Sequence, residues 1–76
     1  MRPKSVYLEW IDSCAHRGWN DPIDLLSRIV TVGWLVREDH ESVTVSTSYD
    51  QTSDNFADQM VIPKVAITKF RKNVIR

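Results

Sequence analysis

Residues 28–50 read RIVTVGWLVREDHESVTVSTSYD, two β-branched runs separated by a charged, polar turn. This is the pattern of a long β-hairpin, because Val, Ile and Thr suit an extended backbone while acidic residues and Ser favour turns. The outward strand, Ile29 to Arg37, is apolar on both faces, with Val30, Val32, Trp34 and Val36 on one and Ile29 and Leu35 on the other. A strand of that kind is either central in a packed barrel or covered by a partner subunit. Gly33 marks a bulge or sharp bend of the sort that lets a small sheet curl closed. Glu38 to Ser42 makes the turn. In the return strand Val43, Val45, Thr47 and Tyr49 face one way, and the hydroxyls of Thr44, Ser46 and Ser48 face the other.

Before this hairpin, Ser5 to Asp12 alternates Val6, Leu8 and Trp10 against Tyr7, Glu9 and Ile11, a strand with its first set inward. Arg2, Pro3 and Lys4 read as a frayed lead-in. Ser13 to Trp19 breaks the alternation, with Gly18 as the bend. Asp21-Pro22 then supplies an acceptor side chain and a residue of fixed φ, so the spacing predicts a short helix from Pro22 to Ser27. After the hairpin, Gln51 to Asp58 is polar, with Phe56 as its one large apolar group, and reads as a loop. A short fourth strand is expected from Gln59 to Ile62. Pro63 has no donor and ends the pairing, Lys64 to Ala66 suit one turn of 3₁₀ helix, and Ile67 to Asn73 form a fifth strand with Ile67 and Phe70 near the core.

The order of elements is that of a small, mainly β, five-stranded barrel, a single domain over residues 1–76. At 76 residues it lies near the lower limit for a self-sufficient core, so oligomerisation is a natural supplement. With 42% hydrophobic and 26% charged residues, neither disorder nor a fibrous repeat is indicated. No apolar run is long enough to span a bilayer and no leader pattern follows Met1, so a cytoplasmic protein is expected. The lone Cys14, with His16 and His40, is too few ligands for a structural zinc site, and neither metal nor cofactor is expected.

The formal net charge is zero, yet the charges are segregated. Glu38, Asp39, Glu41, Asp50, Asp54 and Asp58 occur with no Lys or Arg among them, and from Lys64 onward Lys64, Lys69, Arg71, Lys72 and Arg76 occur with no acid. A surface that tracks nucleic-acid phosphates usually needs an overall basic domain, which this is not. A small anionic ligand needs only two or three cations, and segregated charge also lets the acidic end of one subunit meet the basic end of the next.

GWLVRED, the return strand after it, and VIPKVAITKF together resemble a group of small bacteriophage accessory proteins with Src-homology-3-like or Sm-like β-barrels. The resemblance spans Ser5 to Lys72 as a pattern of elements. It implies a phage-encoded protein without catalysis, in the host cytoplasm, assembled as a ring or dimer through open strand edges. One departure is the expected helix, which falls between the first and second strands, whereas RNA-binding Sm proteins carry theirs ahead of the barrel. No RNA site is therefore carried over.

Asp12, Cys14 and His16 alternate and would share one side of an extended chain, the beginning of a thiolate site. No oxyanion hole or nucleophile-elbow pattern accompanies them, so a partly buried thiol and a surface His are the better account and no enzyme is expected. Trp10 and Trp34 sit on apolar strand sets and are assigned to core packing. Trp19 and Tyr49 are the aromatic candidates for stacking on a base, with plain packing as the ordinary alternative. Arg37, Lys69, Arg71 and Lys72 are the cationic candidates, since an Arg can fork onto a phosphate; the ordinary alternative is a solvated basic edge that blocks strand pairing.

The functional expectation is a homo-oligomer that sequesters a small anionic ligand, most economically a nucleotide signal of host immunity, at subunit interfaces, an anti-defence role needing no turnover. Two alternatives stand beside it: an Sm-like binder of RNA or single-stranded DNA, and an adaptor that inhibits a host factor by adding a strand or burying the Trp19 and Phe56 region.

Overall fold

A computed structural model describes residues 3–12 and 27–74. Five antiparallel strands, β1 (Ser5–Asp12), β2 (Ser27–Glu38), β3 (Ser42–Asp50), β4 (Asn55–Pro63) and β5 (Ile67–Lys72), form one sheet in the order β4-β3-β2-β1-β5. The only helical element among the described residues is the 3₁₀ turn Lys64–Ala66, between β4 and β5. No helix among them is long and apolar enough to cross a membrane.

The inward set of β1 is as the alternation requires. Val6 and Leu8 are fully buried and join Val43 and Val45 of β3 and Ile62 of β4 in one cluster. Strands two places apart can share a core only if the sheet curls. Burying each such side chain contributes about 2 kcal/mol, so this small cluster holds the curl. Trp10, Leu35, Ile67 and Phe70 pack around it, half-buried, and the Trp10 Nε1–H donates to Thr31 Oγ1 at 3.0 Å.

Gly33 sits where β3 crosses closest to β2. A Cβ at that position would lie 2.4 Å from the Ser46 carbonyl oxygen and 2.7 Å from Val45 Cγ1, so only glycine fits. The irregularity of β2 lies farther on, between Leu35 and Arg37. The β2–β3 turn is built by Asp39, whose Oδ1 accepts the N–H groups of Glu41 and Ser42, both at 2.8 Å. These bonds, the Glu41 one foremost, hold the Asp39 carboxyl below its ordinary pKa.

Three expectations are corrected. Among the described residues the barrel is not closed: β4 and β5 do not pair, and each ends the sheet. The three-residue turn after the donorless Pro63 carries the chain across to β1, where β5 pairs instead of running beside β4. The loop assigned to Gln51–Asp58 is shorter, because β4 begins at Asn55 and places Phe56 opposite Tyr49. Trp34 is not in the core. It shares the outward side of β2 with Val30 and Val32, which are 60% and 49% exposed, and its ring lies against Tyr49. Of the expected helix, residues 22–26 lie outside the described residues and Ser27 already belongs to β2. Cys14, His16 and Trp19 also lie outside them.

Candidate functional site

The far end of the β3–β4 hairpin is built separately from the core. Pairing of β2 with β3 reaches only Trp34–Ser46, whereas β3 and β4 stay paired to Asp50–Asn55. Where the hairpin leaves the sheet, the buried Ser46 hydroxyl accepts the Ser48 N–H at 3.2 Å and reaches the carbonyls of Ser48 and Ala57. Asp58 beside it takes φ of 55°, in the left-handed region that Asp tolerates better than most residues.

The hairpin tip is an acid-capped turn. Asp50 Oδ1 accepts the Thr52 N–H at 2.9 Å and Oδ2 accepts the Ser53 hydroxyl at 2.8 Å. The Ser53 hydroxyl, then the Thr52 and Ser53 N–H groups, hold the Asp50 carboxyl below the usual carboxylate range, so it stays ionised. Asp54, at φ 58°, accepts the Tyr49 hydroxyl on Oδ1 at 2.6 Å. That bond fixes the Tyr49 ring between Trp34, 6.2 Å away centroid to centroid, and Phe56, 5.1 Å away. A recess of about 300 Å³ is lined here by Tyr49, Asp50, Ser53, Asn55 and Phe56, among others.

Beyond the recess runs the outer edge of β4. Ile62 is its one buried side chain, while Met60 and Val61 are 46% and 64% exposed. No Lys or Arg occurs between Glu38 and Pro63. Among the described residues, none of Asp50, Asp54 and Asp58 has a cation within ion-pair distance. An aromatic, acidic hairpin end is thus continuous with a strand edge that carries Met60 and Val61 and has no paired strand among the described residues.

The cations proposed from sequence lie elsewhere. Lys69 and Arg71 are on β5, at the other edge of the sheet, cross-strand from Glu9 and Tyr7. Tyr7 donates to Glu9 Oε2 at 2.5 Å, and that bond, with burial and the Glu9 charge, raises the tyrosine pKa. Arg37 pairs with Thr44, five residues back along β3 from Tyr49, and its largely exposed guanidinium lies 3.9 Å from Asp39. Within one chain, then, Arg37, Tyr49, Lys69 and Arg71 do not meet. Lys72 is committed to structure, since it and Lys64 hold the two oxygens of Glu38 at 2.7 and 3.0 Å.

Trp34, Asp54, Met60 and Val61 were not singled out as site residues by the sequence, and Phe56 entered only with Trp19 in the adaptor alternative. The seven-residue spacing of Tyr49 and Phe56 across an Asp- and Ser-rich stretch was the signal for their contact, because a tight turn there places them opposite one another. Among the described residues no group of three His, Cys, Asp or Glu side chains converges where a metal ion would bind. No protein-family model, curated protein or solved structure matches this chain.

Proposed function

We propose that this chain is a non-catalytic binding module that docks an extended segment of a partner protein along the free edge of β4. The observation that carries this reading is the edge itself: a nine-residue outer strand with no Lys, whose Met60 and Val61 are exposed in its second half. Such an edge offers a row of backbone donors and acceptors and two apolar side chains on opposite faces, which is what strand addition uses. In the phage setting that the sequence resembles, the partner is a host or phage factor held stoichiometrically, without turnover.

The test is capture from host extract by the immobilised chain and by V61K. A Lys at this exposed position leaves the fold intact but sets a charge where the partner strand would lie. One stoichiometric protein retained by the parent and lost by V61K, with the circular dichroism unchanged, is the expected result. Equal retention by both proteins removes β4 as the docking edge.

A second reading is supported by Lys69 and Arg71, which share the outward side of β5 and make no ion pair among the described residues. Two copies in contact would let these cations and the Tyr49 ring of a neighbour hold a nucleotide between them. Calorimetric titration with cyclic and ADP-ribose-type nucleotides tests it. Heat that is lost in K69E/R71E supports the interfacial site, and no heat from any nucleotide ends it.

A further inference from the structure

We infer that the segment accepted by β4 is basic at one end: apolar where it passes Met60 and Val61, and carrying Arg or Lys where it reaches the hairpin tip. The inference rests on the strand-docking reading and specifies its partner.

Three observations point the same way. The first is charge. Glu38 is answered locally by Lys64 and Lys72, and Asp39 by Arg37, while Glu41 has an imidazole, His40, beside it. Among the described residues Asp50, Asp54 and Asp58 have no Lys, Arg or His at ion-pair distance, and all three lie on the outer half of the β3–β4 hairpin. The second is shape. The recess at the tip puts the Tyr49 and Phe56 rings beside the Asp50 carboxylate, with Asn55 and Ser53 at its rim. An Arg or Lys side chain matches that pairing, because its methylene stem covers an aromatic ring while its head remains at a carboxylate. The third is continuity. Asn55 stands six positions before Val61 on the same strand, about 20 Å away at an extended rise. One segment of eight to ten residues therefore spans both the apolar pair and the recess.

The probe is an acetylated ten-residue peptide with two Arg at one end, a Val-Ile pair six positions away and Thr elsewhere, made in both chain directions. Its control carries two Glu in place of the two Arg. Fluorescence anisotropy is read on the parent and on D50N/D54N/D58N. Asn tolerates the left-handed backbone of positions 54 and 58 and at position 50 keeps an Oδ1 acceptor for the Thr52 N–H, so this variant removes charge and keeps the conformation. The Arg peptide should bind about tenfold tighter than the Glu peptide, an advantage of about 1.4 kcal/mol. In D50N/D54N/D58N the preference should fall below threefold with the circular dichroism unchanged.

Equal binding of Arg and Glu peptides, both weakened by V61K, overturns the basic partner and leaves strand docking in place. Failure of every peptide to bind overturns the basic partner and the docking reading together. A preference that survives D50N/D54N/D58N unchanged overturns the assignment of the hairpin carboxylates as its source.

Discussion

β4 and β5 are the two outer strands of one sheet and are joined by three residues, yet they treat their open edges differently. β5 is six residues long and carries Lys69, Arg71 and Lys72. Its backbone is flanked by cations, and its last lysine is tied to Glu38, so a second strand approaching it meets charge. β4 is nine residues long, its only formal charge is Asp58, and its exposed run ends in Met60-Val61. Short and cationic is how a sheet edge is kept solitary; long and apolar is how one is kept available. Under the strand-docking proposal, β4 is the edge that binds and β5 the edge that stays solitary.

The largest effect expected on this contrast comes from Ile62→Ala. Ile62 is the one β4 side chain in the core, so its truncation should destabilise the protein by about 3 kcal/mol, read as a lowered urea midpoint. Hydrogen exchange should show β4 opening ahead of β5; uniform loss of protection would mean that the two edges are not independently anchored. A smaller loss, about 1.5 kcal/mol, is expected for Ser46→Ala, which deprives the Ala57 carbonyl and Ser48 N–H of a buried partner. An unchanged stability in that variant would show that the hairpin bends without this hydroxyl.

Smaller again is Glu38→Gln, about 1 kcal/mol or less, because the Lys64 and Lys72 ammonium groups are more than a third exposed. Its pH dependence is more telling than its size. Hydrogen bonds from Lys72 and then Lys64 hold the Glu38 carboxyl below its ordinary value of 4.5. The stability it contributes is therefore fully present above that pH and is lost as the pH falls through the lowered folded value. The difference between the parent and E38Q should close on acidification; a constant difference would dissociate the ion pairs from the anchoring of β5. V61K, at the other edge, should change stability by less than about 0.5 kcal/mol while changing binding.

Much of this architecture was legible in the residues. β1 could be bounded because alternation starts at Ser5 and stops at Asp12, and the Lys64–Ala66 turn because Pro63 ends a ladder. The start of β4 was hidden, since Asn55, Ala57, Asp58 and Gln59 form an edge with no buried face and hence no apolar period to read. Which side of β2 faces inward was equally concealed. Both sides are apolar, and the choice falls to Gly33, whose missing side chain lets β3 approach from within. The candidate site suffered from the same ambiguity. Tyr49 was found, but Trp34 was assigned to the core, and the cations on β5 were grouped with residues that two intervening strands keep apart.

The pairing of β1 with β5 has a consequence for how the chain is made. Tyr7 lies opposite Arg71, sixty-four residues later, while its other neighbour in the sheet, Val32, is only twenty-five away. A chain emerging from the ribosome thus presents β1 early and must hold one flank of it bare until β5 is synthesised. Contacts that distant in sequence close slowly and leave nascent strands open to wrong pairing. In refolding, pulsed hydrogen exchange should therefore find the β5 amides protected later than those of β2 and β3.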